Sequence, residues 1–208
     1  MFFKAVFMDK SSTKKNEFDI KLNDAIELIR ANQSIVATRV LEALDSHRIT
    51  VNSFFNMSEN HYKEIQEDLL KEEKITIPSE YPPSEEIVNI IEEKYSGIIY
   101  DDKHIYLSLN RTVEEIASTL VHEVCHFLNS DIYRQEQKKS SSLLYRYKDE
   151  IRSFTAEKIF ERDGHCILRS HMRRIHAHVT RAYPEFVDPD MDMQKVGYVY
   201  SCYDTPMK

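Results

Sequence analysis

A chain of 208 residues with 41% hydrophobic side chains can bury a substantial core and is too apolar to be disordered. Its net charge of -7 argues against a general nucleic-acid binder, and only 3 glycines leave no room for Gly-rich phosphate loops. Three cysteines, Cys125, Cys166 and Cys202, cannot all pair, which suits a reducing cytosol.

Phe2 to Met8 is apolar but short, with no basic region before it and no small-residue cleavage site after it. It reads as a strand and not as a signal peptide. Lys10 to Lys15 reads as a polar connector. From Asp19 to about Leu44, the residues Ile20, Ile26, Ile29, Val36, Val40 and Leu44 predict one long or broken amphipathic helix. Ser58 is a candidate N-cap for a second helix to about Lys71. Pro78, Pro82 and Pro83 make Ile75 to Pro83 extended, and Ser84 caps a short helix to about Lys94. Gly97–Tyr100 and His104–Leu109 read as two strands joined by an Asp101-Asp102-Lys103 turn. Arg134 to Ser142 reads as a loop or frayed helix end. Helices then run from about Leu143 to Arg162 and, after Gly164, from His165 to about Ala182. In the tail, Asp188, Asp190 and Asp192 alternate, but Met193 and Val199 stand where an EF-hand loop needs Gly and Glu. No run is long enough to span a membrane. Nothing divides the chain, so 1–208 reads as one domain of the α+β class, mostly helical with a small sheet.

The stretch Val121-His122-Glu123-Val124-Cys125-His126 carries the pattern H-E-x-x-H. Residues four apart on a helix differ by about 40° and roughly 6 Å along the axis, so two imidazoles can aim at one cation. The pattern supplies two neutral nitrogen ligands for Zn²⁺, His122 and His126, and a carboxylate base, Glu123. Thr112 with Glu115 fits a capping box at the start of this helix. From there Val113, Ile116, Ala117, Leu120, Val121, Val124, Phe127 and Leu128 form one apolar stripe. The two histidines lie on the opposite side. Cys125 falls on another face and reads as packing.

A catalytic zinc normally has three protein ligands. A third His two turns on is absent, since Asn129 and Ile132 occupy the relevant places. The next helix offers Glu150, Glu157 and Glu161 on one face, and spacing alone does not choose among them. Tyr106 to Phe160 resembles the core of zincin metalloproteases of the HExxH-plus-distal-Glu type. Glu150-Ile151-Arg152-Ser153-Phe154 is similar to the second motif of the ImmA/IrrE-like group, in which an aromatic stands four residues after a ligand Glu. Cys125 and Ile151 replace the small residue and the Ala usual in that group. The resemblance implies a zincin-like domain. The second hairpin strand runs almost directly into the HExxH helix and is expected to be the sheet's edge strand, bordering the cleft. The resemblance also implies Glu150 as third ligand, with Glu157 the next candidate; whichever of the two does not ligate would at most orient a ligand His. Ile151, Phe154 and Ile159 would dock that helix.

The function these features imply is a zinc-dependent endopeptidase acting on a protein or peptide, as a regulatory protease or a secreted effector. Glu123 would serve as base. His165, His171, His176, His178, Tyr145, Tyr147 and Tyr183 are candidate donors to the oxyanion. The competing expectation is an inactive zinc-bound interaction domain, against which retention of Glu123 speaks. No nucleic-acid or membrane partner is expected. The expected location is the cytoplasm, with export lacking a cleavable signal left open.

Overall fold

The protein is described from a computed structural model, over residues 10–136, 142–165 and 167–186. The expected strand Phe2–Met8, Cys166, Cys202 and the tail aspartates lie outside the described residues. The first helix, α1 (Lys10–Ala31), begins earlier than expected: Lys10 to Lys15 forms its first turns and not a connector. Phe18, Ala25 and Ile29 further along are buried, so packing extends the helix through a segment that composition marks as a loop. The chain breaks at Asn32–Ser34. Ser34 caps α2 (Ile35–Asp45), its Oγ accepting from Ala37 N at 3.1 Å.

Then comes a strand that the sequence pattern did not reveal, β1 (Thr50–Ser53). Next are α3 (Glu59–Asp68), running into a π-helical turn at Leu69–Glu73, and α4 (Glu85–Lys94). Ser58 and Ser84 cap these two helices as expected, accepting from His61 N and Ile87 N. The hairpin β2 (Gly97–Tyr100) and β3 (His104–Leu107) comes after them, its tight turn made by Asp101 and Asp102 at φ 52° and 54°. Three more helices follow among the described residues, α5 (Val113–Glu136), α6 (Ser142–Glu161) and α7 (Arg169–Ala182). Thr112 and Glu115 make the reciprocal capping box: Thr112 Oγ1 accepts from Glu115 N, and Glu115 Oε2 accepts from Thr112 N.

The sheet order is β1-β3-β2, with β1 parallel and β2 antiparallel to β3. The strand preceding the HExxH helix is therefore central, correcting the expectation of an edge strand there. Among the described strands the edge nearest α5 is β2. Alternation along β3 sends its side chains to two cores. Ile105 and Leu107 join Phe18, Ile29, Val40, Leu120, Val121 and Val124 under α1, α2 and α5. Tyr106 and Tyr100 join Phe54, Tyr62, Ile65 and Ile91 under α3 and α4. Each fully buried Leu, Ile, Val or Phe stabilises the fold by roughly 1.5–3 kcal/mol relative to exposure. The α+β class is as expected, and no helix among the described residues is long and apolar enough to cross a membrane.

Two polar anchors set where α5 starts. Glu92 of α4, 2% exposed, accepts from Leu109 N at 2.7 Å. Lys21 of α1 donates to Leu109 O at 2.9 Å. Together they hold the short link from β3 into α5. Helix α5 then packs most extensively on α6, with Ala156, Ile159 and Phe160 facing the main core. Ile151 instead packs toward α7 with Tyr147, Ile175 and Val179, differing from its expected role against α5.

Candidate metal centre

The apolar stripe of α5 fixes its rotation. With Ile116, Ala117, Leu120, Val121 and Val124 in the core, His122 and His126 turn toward α6 and the open edge of β2. Their rings stand 4.9 Å apart, and Phe154 of α6 packs edge-on to His122 at 4.4 Å. Each imidazole has its Nε2 directed at one carboxylate. His122 Nε2 lies 3.7 Å from Glu150 Oε2, and His126 Nε2 lies 3.9 Å from Glu150 Oε1.

The other nitrogen of each ring faces a different acid. His122 Nδ1 is 3.2 Å from Glu157 Oε2, and Glu157 Oε1 accepts from Ser118 Oγ at 3.2 Å. His126 Nδ1 is 2.8 Å from Asp149 Oδ2 and 3.2 Å from Ser153 Oγ. Asn129 Nδ2 donates to Asp149 Oδ1 at 3.1 Å. Carboxylates on both Nδ1 atoms fix the ring orientation and leave both Nε2 lone pairs for a ligand between the helices.

Sequence reasoning singled out His122, Glu123, His126 and Glu150, and all four line one cleft of about 430 Å³. Glu157 and Ser118 sit behind His122, away from Glu150. Glu161 is further along, within reach of Ser118 at 3.4 Å. Asp149 was missed. Its signal was available: one residue before Glu150 on a helix, it turns about 100° and can still face α5. Of the candidate oxyanion donors, Tyr183 lines this cleft. Tyr147 is engaged with His176 at 2.8 Å, Tyr145 is buried, and His165 and His178 are exposed.

His122, His126 and Glu150 each offer one atom within 4.8 Å of the others. Donors on a tetrahedral zinc-sized ion stand ~3.4 Å apart, from bond lengths near 2.0–2.2 Å. The gaps of 3.7 and 3.9 Å, one to each oxygen of Glu150, are only a few tenths of an ångström wider than that spacing. Glu150 Oε2 is buried and makes no hydrogen bond, so an unsatisfied acceptor points where a cation would sit. Two imidazoles and a carboxylate suit a borderline divalent ion.

The charges agree. Burial drives the His122 pKa down, but the carboxylates of Glu150 and Glu157 outweigh it and hold the ring well above its ordinary value. Burial likewise opposes ionisation of His126, yet Asp149 and Glu150 push it up to about 9. Burial would raise Glu150, but His126 and His122 keep it below the usual carboxylate range. The site thus stabilises positive charge between the helices, whether as protons or as a cation that displaces them. Glu123 differs: burial raises its pKa, only partly offset by the histidines. A carboxyl raised in this way is poised to accept and return a proton.

The cleft wall opposite α5 is β2, and Gly97 permits their close approach. A Cβ there would meet Thr119 Cγ2 at 2.5 Å and Glu123 Cγ at 3.3 Å. Asp68, Glu72, Asp102 and Asp149 also line the cleft, with Arg146 supplying positive charge among them.

Compared with protein-family models, curated proteins and solved structures, the chain matches none.

Proposed function

We propose that the protein is a zinc-dependent endopeptidase of the zincin type, with His122, His126 and Glu150 as metal ligands and Glu123 as general base. The observation that carries this is the double use of both imidazoles: Nε2 toward Glu150, Nδ1 toward Asp149 or Glu157. Zinc held by His122, His126 and Glu150 would supply Lewis acidity to a water and to the scissile carbonyl. Glu123 takes the proton from the attacking water and delivers it to the leaving amine. Asp149 and Glu157 keep the imidazoles aligned and, by accepting from Nδ1–H, make Nε2 a better donor to the metal. Tyr183 donates to the developing oxyanion. Burial, and then Glu150 and Glu123, hold its pKa above the ordinary value, so its hydroxyl stays protonated. The edge of β2 can pair with an extended substrate as an added strand.

Retention of a base is what separates this reading from an inert zinc-binding domain, and it sets the test. The zinc-loaded protein and Glu123→Gln should retain equal metal after desalting, and His126→Ala should retain less. Against a peptide library read by mass spectrometry, Glu123→Gln should cleave about 10²–10⁴-fold more slowly. Equal cleavage by Glu123→Gln and wild type would remove Glu123 from the chemistry, and undiminished zinc retention by His126→Ala would remove the metal centre.

A further inference from the structure

A second cluster of metal-ligating side chains lies at the turn end of the β2–β3 hairpin. His61 comes from the first turn of α3, Asp101 from the hairpin turn, and His104 from the start of β3. One donor atom from each lies within 4.8 Å of the others.

Three features make this more than a chance meeting of polar groups. His61 is held rigidly. Its ring stacks on Tyr100 at 5.0 Å and 12°, and its Nδ1 is 2.8 Å from Tyr106 Oη, which also accepts from Ser58 N at 3.3 Å. That leaves Nε2 as the outward nitrogen, 3.1 Å from Asp101 Oδ2. Asp101 is brought there by a turn with two consecutive left-handed residues, neither of them glycine. Aspartate is one of the few non-glycine residues that enter this conformation readily, so the turn presents the Asp101 carboxylate without needing glycine. His104 is the third feature. Its Nδ1 is enclosed and makes no hydrogen bond, yet it lies 3.8 Å from the same Asp101 Oδ2. A simple His61–Asp101 hydrogen bond accounts for the first contact and leaves the enclosed His104 nitrogen unexplained.

We propose that His61, Asp101 and His104 form a second site, for a borderline divalent transition-metal ion such as Zn²⁺. Two imidazoles with one carboxylate select that class over Ca²⁺ and Mg²⁺, which require more oxygen ligands. Tyr106 takes the part that Asp149 and Glu157 take in the first centre, orienting a ligand ring through its other nitrogen. Asp101 is 60% exposed, so the ion keeps water on its open side and exchanges readily. Its occupation ties α3 to the hairpin turn. Asp102 and Tyr100, on either side of Asp101, line the cleft of the first centre.

The site is tested apart from the first by working in a His122→Ala/His126→Ala background. Calorimetric titration of that protein, stripped of metal, with Zn²⁺ alone should reveal one remaining site. Adding His104→Ala, or separately Asp101→Asn, should weaken it at least about tenfold, the scale seen when even an outer partner of a metal ligand is lost. Both changes are at partly exposed positions, whereas His61→Ala would also empty a stacked, buried place. Zinc binding unaffected by both substitutions, no binding in the background protein, or Ca²⁺ binding as tight as Zn²⁺ would each overturn the assignment.

Discussion

Glu150 and Glu157 both touch His122, but from opposite sides of the ring. Two turns of helix separate them, about 10 Å along the axis, and the ring with its contacts of 3.7 and 3.2 Å on either side bridges most of that distance. Spacing on α6 placed both acids on one face without saying which would meet Nε2. Only the rotation and offset of α6 against α5 does that, and these depend on Ala156, Ile159 and Phe160 finding the core. Asp149 escaped notice because an acid beside another acid on a helix ordinarily reads as solvated surface. The expected consequence is a graded loss of metal. Glu157→Ala should weaken zinc affinity about 10- to 100-fold, as for an orienting partner, and Glu150→Ala should weaken it further. Competition with a chromophoric chelator measures both. If Glu157→Ala strips the metal and Glu150→Ala keeps it, the assigned register of α6 is wrong.

Elements with strong local signals were legible in the sequence. Ser58, Ser84 and Thr112 stand where their side chains satisfy the first free N–H groups of α3, α4 and α5. β1 was not legible, since Thr50-Val51-Asn52-Ser53 has one apolar residue and becomes a strand by pairing with β3. The extent of α1 was misjudged for the converse reason: its polar first turns are helical because the buried turns from Phe18 to Ile29 carry the helix. Glu92 shows how an ordinary helix acid can join elements. Burial raises its pKa against the opposing pull of the Leu109 N–H. A carboxyl raised on folding contributes stability fully below its ordinary value of 4.5, and that contribution is lost as pH rises through the raised value. Glu92→Gln can still accept from Leu109 N but has no charge to desolvate. Its melting temperature relative to wild type should therefore climb as pH rises from the ordinary carboxylate value of 4.5 into the neutral range. A difference that stays flat, or falls, would mean that Glu92 ionises in the folded protein without penalty.

For the molecule as a whole, the α+β class followed from helical periodicity and one evident hairpin, while the strand order did not. Sheet order depends on a parallel pairing of Thr50–Ser53 with His104–Leu107, distant in the chain, which no local pattern encodes. The proposed ligand set is divided in a similar way, with two donors on α5 and the third on α6. A cation held by all three cannot survive the separation of those helices, so its binding energy opposes any local opening of α6. At a free-metal concentration about 100 times Kd, such opening becomes about 2.7 kcal/mol more costly. Backbone amides of α6 that exchange with deuterium through that motion should slow roughly a hundredfold on adding zinc, with amides in the first turns of α1 unchanged. Uniform slowing along the chain would indicate global stabilisation instead. The cleft's chemistry and the tightness of its walls would then be one property: loss of the ion would loosen the helix that carries Glu150, Asp149 and Glu157 together.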